Sequence, residues 1–225
     1  MPADEGSLAH RRHVPFRVIE LDSLTDRLDL ARIFGRAAPV HIDLGCGEGS
    51  FLCALAQRMP DKNFLGIERL LNRVRASALK AASLDNVRLL RMESFYAVRY
   101  LLPAESVERF YLLFPDPWPK RRHHGRRIFS RDFLDSIAAA LEAGGFLHVA
   151  TDQSDYFQLI EQSGRVHPQF EIVRRDDFIL PLTRFERKFR EQGAPIYRLT
   201  LHKLWKRGGD RTVSAKPLGA RQANR

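Results

Sequence analysis

Three carboxylates close three successive apolar runs of this chain, and a fourth stands in a proline-rich segment after the next run. Asp43 lies in Val40-His41-Ile42-Asp43-Leu44, Glu68 ends Phe64-Leu65-Gly66-Ile67-Glu68, and Glu93 follows the run from Val87 to Met92. Asp43 leads into Gly45-Cys46-Gly47-Glu48-Gly49, where Gly45 and Gly47 let the backbone turn tightly and approach a ligand with no Cβ in the way. The spacing is Gly-x-Gly-x-Gly, one residue shorter than the dinucleotide fingerprint, and Asp43 would repel a pyrophosphate. A carboxylate there suits the cationic amino acid end of S-adenosylmethionine, directly or through water. Glu68 ends the second run, where an acid accepts both hydroxyls of a ribose. Glu93 ends the third, where an adenine amino group would sit. One such acid alone reads as a helix N-cap or a surface group. Three in register along one sheet edge point to a cofactor site.

The fourth carboxylate, Asp116, belongs to Phe114-Pro115-Asp116-Pro117-Trp118-Pro119, which leaves the longest β-branched and aromatic run of the chain. Three prolines stiffen this loop and remove amide donors, so Asp116 is aimed at little ordering cost. Trp118 offers a face for stacking a base, or packs into the core. The loop continues as Lys120-Arg121-Arg122-His123-His124-Gly125-Arg126-Arg127. A charge run is usually a solvated face; beside a catalytic strand it reads as phosphate contact.

These residues need a scaffold that brings successive strand ends together. Short apolar runs alternate with helical patterns. Strands are expected at 40–44, 63–67, 87–92, 107–114 and 145–150, with closing strands at 170–174 and 196–203. Helices are expected at 50–58, 70–83, 94–102, 130–141 and 154–163. That alternation predicts an α/β fold, a Rossmann-like, mostly parallel sheet with helices on both faces and an antiparallel closing strand. The 225 residues suit one domain over 36–205, with a polar N-terminal extension over 1–35 and a basic, disordered tail over 206–225. A net charge of +10 favours a polyanionic partner. No apolar stretch is long enough to span a bilayer, and the N-terminus lacks a signal-peptide core, so a cytoplasmic protein without a membrane role is expected. Cys46 and Cys53 have no histidine at zinc-binding spacing, so no metal is expected. Cys53 reads as a buried small hydrophobe.

The chain resembles the bacterial tRNA (guanine-N7-)-methyltransferases over roughly residues 38–203. The resemblance is carried by DLGCGEG (43–49), GIE (66–68), FPDPWPKRRHHGRR (114–127), ATDQ (150–153) and TRFERKFREQGAPIYRL (183–199). It implies a class I fold, S-adenosylmethionine as cofactor and tRNA as partner, with methylation at N7 of the variable-loop guanosine, position 46 of tRNA. Asp43, Glu68, Glu93 and Asp116 match the cofactor carboxylates, with Asp116 also the catalytic position. Lys120, Asp152, Thr183, Arg184, Phe185 and Glu186 match substrate contacts, and Arg122, Arg126 and Arg127 fall in the RNA-contact loop. Two departures are Asp43, where the family often carries Glu, and Glu93, where Asp is common. Without the resemblance, Asp152 also reads as an N-cap and Glu186 as an ion-pair partner of Arg187 or Arg190. The rival readings are an exocyclic-amine (adenine) methyltransferase, which Asp116-Pro117-Trp118 partly imitates, a non-catalytic RNA-binding protein on the same fold, and a small-molecule methyltransferase. The last leaves the basic loop unexplained.

Overall fold

The computed structural model describes residues 17–118, 120–173 and 179–205. Seven strands, β1 (Val40–Leu44), β2 (Asn63–Glu68), β3 (Val87–Arg91), β4 (Val107–Leu113), β5 (Leu141–Thr151), β6 (Phe170–Val173) and β7 (Tyr197–Lys203), form one sheet in the order β3-β2-β1-β4-β5-β7-β6. β1 to β5 pair in parallel, while β7 runs antiparallel to both of its neighbours. All five residues of β1 and all six of β2 are buried, as parallel strands covered on both faces must be. The covering helices are α1 (Leu30–Phe34), α2 (Ser50–Arg58), α3 (Leu71–Lys80), α4 (Ser94–Tyr96), α5 (Arg131–Ala140), α6 (Ser154–Val166) and α7 (Arg184–Glu191). α4 runs on into a π turn, Ala97–Leu101, closed by the Leu102 amide donating to Ala97 O at 3.0 Å. None of these helices is long and apolar enough to cross a membrane.

The core lies in two layers. The larger gathers residues such as Ile42, Leu101, Phe110, Phe133, Ile137 and Tyr156; the smaller packs Leu52, Leu55, Phe64, Val74 and Tyr111 under α2 and α3. Gly66 in β2 is what lets α2 and the glycine loop settle on the sheet. A Cβ there would lie 2.7 Å from Leu52 Cδ2 and 2.8 Å from Cys46 Sγ. Cys53 is buried on α2, as its apolar surroundings suggested.

Three elements differ from expectation. Residues 17–35, expected within a polar extension, are built into the domain. Ile19 N–H donates to Leu89 O and Leu89 N–H to Arg17 O, both at 2.8 Å, so the segment covers the outer edge of β3. Leu28, Leu30 and Phe34 then enter the core. β5 begins at Leu141, earlier than the expected Gly145, because Val107 pairs with Leu141 across a bulge in the β4–β5 ladder. Helix α7 was not foreseen, since only Phe185 and Phe189 interrupt its charged surface. The expected tails 1–16 and 206–225, and the last residue of the strand expected at 170–174, lie outside the described residues.

Candidate active site

The ladders bring the expected residues to one edge. Asp43 is level with Gly66 on β2 and Tyr111 on β4, Glu68 with Arg91 on β3, and Leu113 with Ala150 on β5. Asp43, Glu68, Glu93, Asp116 and Asp152 therefore leave the sheet along the carboxyl ends of β1, β2, β3, β4 and β5, the edge at which open α/β sheets bind ligands. Because β7 is antiparallel, its first residue, Tyr197, pairs with Thr151 and brings the chain after α7 to this edge as well.

The glycine loop is held from below. Gly45 and Cys46 amides donate to Ile67 O at 2.8 and 3.1 Å, and Gly47 N–H donates to Glu68 Oε2 at 3.1 Å. The other oxygen of Glu68 accepts from Leu70 N–H at 2.9 Å. Each carboxylate oxygen keeps a second lone pair, so these bonds orient Glu68 without exhausting it as an acceptor. Asp43 is different: it is 4% exposed and has no hydrogen bond or ion pair among the described residues. Burial, followed by the Glu68 charge, pushes its carboxyl up to about 7. Gly45 and Gly47 adopt φ of 77° and 57°, and a Cβ on either would meet nothing within 4 Å. A buried carboxylate without a cation, beside an open glycine cradle, fits the cationic amino acid end of S-adenosylmethionine. The neighbouring Cys46 thiol is pushed well above its usual range, by burial first and then by Asp43, so it offers no thiolate nucleophile.

Glu93 is exposed and caps α4, accepting from Phe95 N–H at 3.0 Å and Tyr96 N–H at 2.7 Å. The N-cap role that any lone acid invites is thus present here, and the carboxylate is fixed at the end of β3.

Asp116 is exposed, in a loop whose backbone is under strain. Phe114 (φ 54°) and Trp118 (φ 43°) both lie in the left-handed region that disfavours side chains. Phe114 N–H donates to Ala150 O at 2.7 Å, tying the loop to β5. Trp118 is half-buried within the loop, with the Arg126 guanidinium 5.0 Å over its ring and His123 edge-on at 5.9 Å. Lys120, Arg122 and Arg126 are exposed. Arg127 is not: at 7% exposure, its Nε donates to Pro117 O at 2.7 Å and a terminal nitrogen meets Asp155 Oδ2 at 2.5 Å.

Asp152 is half-buried and accepts from Gln153 Nε2 at 2.6 Å; Gln153, not Asp152, occupies the N-cap position of α6. Thr183 caps α7, its Oγ1 accepting from Glu186 N–H at 2.9 Å. Glu186 is buried and pairs with Arg190 at 2.7 Å and with Arg198. Arg184 reaches Glu48 of the glycine loop at 3.2 Å. Phe185 is 51% exposed and forms an aromatic patch with Phe114 and Phe189. α7 thus joins the glycine loop to the Asp116 loop.

Sequence reasoning missed Asp155, Phe114 and Phe189. The spacing of Phe185 and Phe189 behind a Thr-x-x-Glu start was the cue for α7. Asp155 carried no cue, because nothing local links it to a loop some 30 residues earlier. Among the described residues no group of three or more His, Cys, Asp or Glu is arranged to hold a metal ion. A cavity of 290 Å³ between the π turn and α5, lined by Arg27, Arg99 and Asp132 among others, includes none of the candidate site residues.

A family described as "Putative methyltransferase" matches residues 37–199. A tRNA (guanine-N(7)-)-methyltransferase of Thermotoga maritima is 38% identical over 181 residues, 79% of this chain and 58% of that protein. The chain thus spans less than two thirds of that relative's length. The enzyme of the same name from Halorhodospira halophila is 38% identical over 180 residues, covering 76% of this chain and 78% of that protein. In solved structures, the 16S rRNA methyltransferase KamB superposes with a TM-score of 0.55 at 16% identity, covering 79% of this chain and 93% of its own. That last likeness speaks to the fold alone and agrees with a class I methyltransferase sheet. The chain belongs to the tRNA (guanine-N(7)-)-methyltransferase family.

Proposed function

We propose that the chain transfers the methyl group of S-adenosylmethionine to N7 of a guanosine in the variable loop of tRNA. The observation that carries this reading is the juxtaposition of a buried, cation-free Asp43 beside an open glycine cradle with a rigid Asp116 loop on the same sheet edge. S-adenosylmethionine supplies an electrophilic methyl group bound to a sulfonium. In this reading Asp43 faces its amino acid end, Glu68 its ribose and Glu93 its adenine amino group.

N7 of guanine carries a free lone pair, so the site needs no strong base, and the absence of a reactive thiolate at Cys46 is consistent with that. The work is alignment, which is a large share of such a barrier. Positive charge reaches the purine ring as the methyl moves, and the fixed Asp116 carboxylate stabilises it there. Asp152 and Glu186 supply acceptors for the donors on the Watson–Crick edge of guanine. Lys120 donates to the guanine carbonyl oxygen O6 or a neighbouring phosphate. Glu186 can take this part only by sharing its carboxylate with Arg190 and Arg198. Arg122, Arg126 and Arg184 meet the backbone, Thr183 holds the start of α7, and the half-exposed Phe185 presents a stacking face. A tRNA substrate also favours a cytoplasmic location.

The test is transfer of labelled methyl to unmodified tRNA, followed by reduction and aniline cleavage, which breaks the chain at N7-methylguanosine. Cleavage at a single variable-loop guanosine supports the reading. Label without cleavage moves the chemistry to another atom, such as an exocyclic amine, and no label with intact cofactor binding leaves an RNA binder.

A further inference from the structure

Arg127 closes the basic run but behaves unlike its neighbours. Arg122 and Arg126 are exposed, whereas Arg127 is buried and its guanidinium is held on two edges and one face. Nε donates to the carbonyl of Pro117, the residue after Asp116, at 2.7 Å. A terminal nitrogen holds Asp155 Oδ2 at 2.5 Å, and the guanidinium carbon lies 4.6 Å over the Tyr156 ring. Asp155 and Tyr156 belong to the first turn of α6, which itself starts three residues after the end of β5. The contact therefore spans from the Asp116 loop to a helix anchored in the core, where Tyr156 is fully buried.

The loop needs such an anchor. Phe114 and Trp118 bracket Asp116 with left-handed backbone, a conformation that persists only where the surroundings over-determine it. Phe114 is secured by β5 and by Phe189. On the other side, the ring contacts of Trp118 among the described residues are the exposed Arg126 and the half-buried His123. Arg127 is the firm attachment of that arm. Its Asp155 partner is also held below the usual carboxylate range by the Arg127 hydrogen bond, which marks the pair as favourable in the folded protein.

We propose that Arg127 is a positioning residue, a clamp from α6 to the Pro117 carbonyl that fixes the Asp116 carboxylate over the reacting base, and not a phosphate contact. The proposal rests on the reading of Asp116 as the catalytic residue. A lysine at 127 keeps the positive charge but cannot hold a carbonyl and a carboxylate in one plane. Arg127→Lys thus separates clamp from charge. A misplacement of about 1 Å in such a site costs on the order of 100-fold in rate, so kcat should fall by roughly 10- to 100-fold. Arg127→Gln, a control that removes the charge, should leave the Kd for tRNA and its salt dependence within about twofold of wild type, because no phosphate contact is lost. Asp155→Ala, at an exposed side chain outside the site, should lower kcat in the same sense, and the double variant should be no worse than Arg127→Lys alone.

A second readout does not depend on methyl transfer. The chain has two tryptophans, Trp118 and Trp205. In a Trp205→Phe background, iodide quenching reports Trp118 alone, and Arg127→Lys and Asp155→Ala should each make it more accessible while the melting transition stays cooperative. If wild type methylates no tRNA, the functional reading fails, yet Trp118 quenching still tests the clamp. Unchanged kcat in Arg127→Lys, together with weaker and less salt-sensitive tRNA binding in Arg127→Gln, overturns the proposal in favour of phosphate contact. Unchanged Trp118 quenching in Arg127→Lys and Asp155→Ala overturns it as well.

Discussion

Asp43 makes cofactor binding dependent on pH in a way that can be worked out in advance. Its carboxyl is raised from 3.8 to about 7, by burial first and by the Glu68 charge second. Since the folded value lies above the unfolded one, the native state holds a proton that the unfolded chain has released between pH 4 and 7. Stability of the free protein therefore falls as pH rises through this window. The full cost of ionising Asp43 in place is about 4 kcal/mol, an order-of-magnitude figure from three pKa units at 1.36 kcal/mol each. A cationic amino group placed against Asp43 removes that penalty, so ligand binding favours the ionised form and expels the proton. If only ionised Asp43 binds, affinity should weaken about 25-fold between pH 7.5 and 5.5, approaching tenfold per unit below pH 7. The assay is calorimetric titration with S-adenosylhomocysteine, which carries the same amino acid end without the sulfonium charge. Repeating it in buffers of different ionisation enthalpy counts the released protons. Asp43→Asn should bind more weakly at pH 7.5 and show a nearly flat profile over the same range. An equally steep profile in Asp43→Asn, or no pH dependence in wild type, would refute the assignment of Asp43 to the amino acid end.

Asp116→Asn should lower kcat by about 100- to 1000-fold in single-turnover assays while S-adenosylhomocysteine affinity stays close to wild type; loss of both together would tie Asp116 to the cofactor alone. Gly49→Ala should destabilise the fold by about 2–4 kcal/mol in chemical denaturation, since Gly49 has φ 73° and a Cβ would overlap Ser77 Oγ and lie 2.9 Å from Ser77 Cβ. Adding Ser77→Gly should recover the steric part of that loss. Arg126→Ala should weaken tRNA binding and reduce its salt slope by about one, as expected for one lost phosphate contact, and an unchanged slope would argue that Arg126 serves only to cover Trp118.

The sheet was legible because its cues are local and repeated. Val40 to Leu44 and Phe64 to Glu68 are apolar runs with an acid at the last or next-to-last position, and the runs are strands with those acids at one edge. The glycine spacing at 45, 47 and 49 corresponds to three consecutive positive-φ glycines, a conformation written directly into residue type. What was not legible depends on partners distant in sequence. Residues 17–35 read as polar, yet a few apolar side chains among them suffice to cover β3, because the strand edge supplies the missing hydrogen bonds. In the charge run, Arg126 and Arg127 are adjacent and identical in type. Only the approach of Asp155 and Tyr156 from α6 separates an exposed guanidinium from a buried one. Glu186 shows the same limit: Arg190 lies one helical turn away and was foreseeable, whereas Arg198 comes from β7.

The central claim concerns a single atom, and one substrate isolates it. A tRNA carrying 7-deazaguanosine at the variable-loop position keeps the shape and Watson–Crick edge of guanosine but has a C–H in place of N7. With the natural tRNA, labelled methyl should be incorporated to about one per molecule. With the 7-deaza tRNA, binding should persist and incorporation should fall to background. Undiminished labelling of the 7-deaza tRNA would contradict the account.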